Sequence, residues 1–179
     1  MTRFQLSLLL LLAACAAPPL EFLVQVGEAR EAPGASGVVL VEWRPAPEAP
    51  EAAGDRVGAQ AGRKVWVMLR DVPRSSKVSL VSRETIRFVG YDAALNGAGG
   101  IWYAPELSTA AAGSIGEMRA MAPVFARGRA IPLPFEAPTE GWMARAWTYH
   151  GRDYLVLANR TKDRQWKVPE EALASSWRP

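Results

Sequence analysis

One cysteine and one histidine in 179 residues exclude more chemistry than the motifs present admit. With Cys15 alone there is no internal disulfide and no cysteine metal cluster, and with His150 alone no histidine-built zinc site. His150 stands between Tyr149 and Gly151 in an expected hairpin turn, and nothing near it suggests a Ser/His/Asp triad. Neither sign of charge dominates: 21 lysines and arginines face 18 aspartates and glutamates, net +3, scattered along the chain, so nucleic acid is not expected as a partner. Phosphate-cradling glycine motifs are missing, and residues 97–100 open a strand where a nucleotide loop would open a helix; no cofactor is implied. The chain also lacks an apolar run of the roughly 20 residues that a membrane-crossing helix requires.

What is present begins at the N terminus. Arg3 precedes an apolar run over residues 6–12, and Leu12-Ala13-Ala14-Cys15 closes it with small residues, so residues 1–14 read as a secretion signal. The ending LAAC resembles the lipobox of bacterial lipoproteins, in which the cysteine is diacylated and becomes the mature N terminus. That resemblance implies lipidation at Cys15, a membrane partner held through the lipid, and a place in the bacterial cell envelope. Ala16, where an inner-membrane retention signal carries Asp, implies the outer membrane in a cell that has one. Acyl chains contribute about 0.8 kcal/mol per buried methylene, so two or three anchor a protein firmly.

Residues 15–20, with Pro18 and Pro19, read as a tether. Residues 21–26 and 37–43 are short apolar runs rich in β-branched side chains, the pattern of strands buried in a parallel sheet, and KVWVML at Lys64–Leu69 is the next. Between them residues 48–60 admit a helix interrupted by Pro50, Gly54 and Gly58. Ser82 reads as an N-cap with Glu84 in the first turn; Ile86, Val89, Ala93 and Ala94 form an apolar face through Asn96, and Gly97 ends the helix. A strand follows at once over residues 100–103. Ser114-Ile115-Gly116-Glu117 has the form of a capping box opening a helix with Met118, Met121, Ala122 and Phe125, bent at Pro123 and stopped by Gly128.

From Trp142 the period changes to two. Residues 142–149 alternate, His150-Gly151 supplies a two-residue turn, residues 154–158 run back with Tyr154 facing Trp147, and a third strand is expected over residues 165–168. The fold class read from this order is α/β: a partial (half) β/α barrel of about four mostly parallel strands over residues 21–128, then a small antiparallel β-sheet over residues 129–179.

In order, KVWVML, the Ser82 helix, NGAGGIWYAPE, a helix ending FARG and WMARAWTYHGRDYLVLANRT resemble the C-terminal part of glycoside hydrolases built as a (β/α)8 barrel with a small β-sandwich behind it. The matching stretches are residues 64–69, 97–101 and 145–159, within a likeness spanning residues 38–168. A complete barrel takes about 250 residues, so this chain has room for half of one. The likeness implies carbohydrate as a partner and, where chemistry persists, two carboxylates about 5 to 10 Å apart. Glu42 and Asp71, at the C-terminal ends of adjacent expected strands, are the catalytic candidates; Glu106, after the next strand, joins Trp43 and Trp102 as candidates for holding substrate. Indole faces stack on sugar rings; Trp66 is expected in the core, and Trp43, beside Glu42, Arg44 and Pro45, is the most exposed of the three. The carboxylates also have a plainer reading, as surface partners of Arg44 and Arg70. The half of the barrel that usually carries the acid is missing. The expectation is therefore an envelope lipoprotein that contacts a glycan without being a complete hydrolase. The alternative is a noncatalytic structural or protein-binding lipoprotein, pairing sheet edges or forming a homodimer in which two half-barrels close one.

Overall fold

The computed structural model describes residues 22–27, 38–44, 48–60, 62–70, 82–136 and 141–161, with the side chains of 106 and 108–110 excepted. The apolar runs form a four-stranded, wholly parallel sheet: β1 (Leu23–Val26), β2 (Val38–Trp43), β3 (Lys64–Leu69) and β4 (Gly100–Tyr103), in the order β1-β4-β3-β2. The first strand thus lies beside the last in an open sheet, with β1 and β2 at its two edges. Side chains alternate faces along each strand. Val41 and Trp43 of β2, Val65, Val67 and Leu69 of β3, and Ile101 and Tyr103 of β4 join the main core, with side chains of α1 (Ala52–Gly58), α2 (Arg83–Leu95) and α3 (Ser108–Arg127) packed among them. On the other face Trp66, Met68 and Trp102 form a smaller cluster flanked by Leu23 and Val38.

The α2 helix begins as its sequence says: Ser82 is extended and its Oγ accepts from the Thr85 N–H at 3.1 Å. Beyond its end Gly97 takes φ 96°, a conformation open to glycine. The α3 helix departs from expectation, opening at Ser108 and not at Ser114. Ala110, Ala111 and Ala112 are strong helix formers and carry the helix through Gly113, so the local capping pattern is overridden. Ser114 is consequently interior and 1% exposed.

The second sheet is antiparallel, in the order β5 (Arg129–Ile131), β6 (Trp142–Tyr149), β7 (Arg152–Asn159). His150 at φ 49° and Gly151 at φ 73° make the tight turn, and Trp147 pairs with Tyr154. The third strand of this sheet precedes the hairpin; the one expected over residues 165–168 lies outside the described residues. At Gly128 a Cβ would stand 2.4 Å from the Val124 carbonyl oxygen and 3.1 Å from the Trp147 Cβ, so α3 can turn into β5 there only without a side chain.

The two sheets share the helices. Leu95 of α2 and Val124 of α3 pack with Trp147, Val156 and Ala158 in a second core, and the Phe125 ring reaches both sides, 5.1 Å from Phe22 and 5.4 Å from Trp147. An ion cluster joins them further. Asp92 of α2, fully buried, receives Nε and Nη2 of Arg160 at 2.8 and 2.9 Å, and Arg160 Nη1 reaches Asp55 of α1 at 2.6 Å. A Cβ on Gly54 would fall 1.9 Å from the Asp92 carboxylate, so α1 lies against this cluster through a glycine.

Candidate functional site

The strand ends hold Glu42 as the sequence suggested, on the face opposite Trp43, beside Met68 of the neighbouring strand β3. Its carboxylate is engaged at both oxygens: Arg70 Nη1 donates to Oε1 at 2.8 Å and Arg44 Nη2 to Oε2 at 3.2 Å. The Arg70 hydrogen bond, helped by Arg44, holds the Glu42 carboxyl below its ordinary range despite some burial. Asp71 and Cys15 lie outside the described residues. Glu106 sits in a one-turn 3-10 helix (Pro105–Leu107) directly after β4, and its side chain is likewise outside them.

The indole platform does not assemble. Trp43, expected to be the exposed one, is 1% exposed, because it shares its face with Val39 and Val41 and points under the helices; its Nε1 donates to the Ala49 carbonyl at 3.0 Å. Trp102 is 3% exposed, and its Nε1 donates to the Gly27 carbonyl at 2.8 Å. Trp66 is buried beside it, ring centroids 6.2 Å apart. All three indoles are core side chains.

A groove that the sequence reading missed lies elsewhere. Some 480 Å3 of space opens between α2 and β7, walled by Arg87, Phe88 and Tyr91 on one side and Leu155, Val156 and Leu157 on the other, with Met121 of α3 also lining it. A second hollow of about 430 Å3 shares Glu84, Phe88 and Asn159 with the first and extends it to Glu51 and Arg160. Inside the groove Arg87 and Glu117 form a fork, Nε to Oε2 and Nη2 to Oε1 both at 2.7 Å, with the guanidinium 5.5 Å above the Tyr91 ring. Glu117 is held below the usual carboxylate range by that guanidinium, and the Tyr91 hydroxyl adds to the effect. Burial, with the Glu117 charge behind it, pushes the Tyr91 hydroxyl well above the ordinary phenol range. Glu84 is ionised more readily than usual through its own backbone N–H and the Ser82 hydroxyl at the helix start. Arg87 is matched by Glu117 and Arg160 by Asp92 and Asp55, whereas Glu51 and Glu84 stand in no ion pair among the described residues.

Among the described residues no group of three or more His, Cys, Asp or Glu is placed to hold a metal, and no helix is long and apolar enough to cross a membrane. No family model matches the chain, and neither a curated protein nor a solved structure matches it. The groove escaped the sequence because its walls come from α2, α3 and β7 and meet only when both cores pack. The sequence marks Glu84, Glu117, Met121 and Tyr154 singly, for their places in a helix or a hairpin, with nothing to bring them together.

Proposed function

We propose that this chain is a lipid-anchored protein of the bacterial cell envelope that works by binding and does not hydrolyse glycans. The anchor at Cys15, and the outer membrane as its site where one exists, rest on LAAC and Ala16. The noncatalytic reading is carried by Glu42. A glycosidase acid must hold a proton near the working pH, and its partner must reach the sugar carbon or a water. Glu42 has a guanidinium on each oxygen and a depressed pKa, which leaves it no proton to give as the acid. The α2–β7 groove is the binding surface.

Contact with an envelope glycan is the second reading. It is favoured by Tyr91 and Tyr154, which line the groove beside Arg87 and Glu117 and offer rings next to hydrogen-bonding groups.

Two measurements test this. The intact mass of membrane-extracted protein should show residues 1–14 gone and two or three acyl chains on Cys15, and Cys15→Ser should leave the membrane fraction; an unprocessed chain with a bare thiol overturns the anchor. Fluorogenic glycosides should show no turnover above background; turnover that Glu42→Gln removes overturns the noncatalytic reading.

A further inference from the structure

We infer that the α2–β7 groove receives an extended peptide segment of a partner protein, added as a strand to β7, with basic side chains at its Glu84–Glu51 end. This rests on the binding reading above and names the partner class for the same groove.

The main-chain half of the inference follows from the hairpin. A two-residue turn makes Tyr149 and Arg152 a hydrogen-bonded pair, and alternation along β6 and β7 does the same for Trp147 with Tyr154, Arg145 with Val156 and Met143 with Ala158. The Arg160 N–H donating to the Gly141 carbonyl at 2.7 Å keeps that phase past the strand end. Leu155 and Leu157 therefore direct N–H and C=O away from β6, to an edge with no strand on it among the described residues, and both line the groove. Such an edge pairs readily with another chain unless it is guarded.

The edge at β2 shows what guarding looks like. There Trp43 turns its carbonyl inward to the Arg70 N–H, Glu42 turns its own outward, and Arg56 Nη2 occupies that outward carbonyl at 2.6 Å. Among the described residues no such cation covers Leu155 or Leu157. Facing them across the groove, Phe88, Tyr91 and Met121 are partly buried and apolar, a wall for every second side chain of an added strand.

The charge half follows from the pairing of the rim. Both arginines are neutralised by their carboxylates, leaving Glu84 and Glu51 to set the sign of the extended hollow. An extended segment with lysine or arginine at that end is complementary; an acidic one is repelled.

The test uses the full mature chain and capped hexapeptides of alternating valine and lysine or valine and glutamate, followed by backbone NMR shifts and amide exchange. The lysine peptide should shift and protect the Leu155 and Leu157 amides. Methylating its three edge-facing amide nitrogens should abolish binding, while methylating the other three should not. Glu84→Gln should weaken it about two- to fivefold, as expected of an exposed charge pair, and added salt should do the same. Equal binding of both methylated peptides, or of the glutamate peptide, overturns the inference. So do Leu155 and Leu157 amides already protected in the free monomer, or protected only as concentration rises, because the edge is then taken by the chain itself or by a second copy. A cello- or chito-oligosaccharide that shifts groove residues where the peptide does not sinks the peptide while leaving a binding protein; glycan turnover removes the binding reading itself.

Discussion

Glu42 and Asp92 are both carboxylates fitted to arginine, and they differ in where the arginine comes from. Glu42 takes Arg44 from two residues on and Arg70 from the end of the next strand, and its side chain remains 36% exposed. Asp92 is fully buried and takes Arg160 from beyond β7, while the same guanidinium reaches Asp55 on α1. Removing an ion from water costs several kcal/mol even after relaxation, so a buried pair survives only where its geometry is good and its remaining lone pairs are used. The bidentate Arg160 meets that condition. The seam between helices and second sheet is therefore specified by charge as well as by packing, whereas the strand ends carry ordinary surface pairing. The groove runs beside this seam, its extension reaching Arg160.

The largest expected effect comes from breaking the seam. Arg160→Ala should lower the unfolding free energy by roughly 3–5 kcal/mol at neutral pH, because it strands a buried carboxylate. Burial already raises the Asp92 pKa and Arg160 pulls against it; without Arg160 it rises further. A raised folded pKa gives stability that is full below the unfolded value and lost as pH rises through the folded one. The deficit of Arg160→Ala should thus be larger at pH 7 than at pH 4, and adding Asp92→Asn should recover part of it. Urea unfolding at the two pH values decides; a deficit below about 1 kcal/mol would return the seam to the same class as the strand ends.

Gly54→Ala should come next, at about 1–3 kcal/mol, since its Cβ meets the Asp92 carboxylate at 1.9 Å and the Arg160 guanidinium at 2.9 Å. Gly58→Ala in the same helix is the control. Its Cβ meets only Asn96 Oδ1, at 3.3 Å, and alanine favours helix, so its melting temperature should hold or rise. Equal losses in both would mean that α1 is simply intolerant of substitution and that the ion cluster is incidental.

Smaller still, Ser82→Ala should cost about 1 kcal/mol through loss of the hydrogen bond to the Thr85 N–H. This cap was legible in the sequence because it is local: a serine, a first-turn glutamate and an apolar period. The same holds for the turn at His150-Gly151 and for KVWVML. What was not legible depends on distant packing. Ser114-Ile115-Gly116-Glu117 has every local feature of a helix start, yet Glu117 is drawn to Arg87 on another helix and the alanines before Ser114 continue the helix. Strand β5 has three residues, too few to show a period, and exists through its pairing with β6. Trp43 has polar sequence neighbours on both sides but shares its strand face with Val39 and Val41, and strand alternation outranks sequence neighbourhood.

The smallest effect is expected at the strand end. Glu42→Gln should cost less than about 1 kcal/mol, because a pair this exposed gains little over water. Its gap should close in acid as that of the seam does, though the underlying carboxyl shifts are opposite, Glu42 lowered and Asp92 raised. The Glu42 pKa is depressed by Arg70 and Arg44, so its contribution is present above the ordinary glutamate range and lost as pH falls through the depressed value. Wild type and Glu42→Gln should therefore differ at pH 7 and converge in acid, whereas wild type and Arg160→Ala draw together in acid from a far larger gap. The two gaps separate a pair that water can replace from one it cannot reach. Had Glu42 been tuned for proton transfer, its environment would instead hold its pKa up, and glutamine would leave stability at neutral pH unchanged or improved.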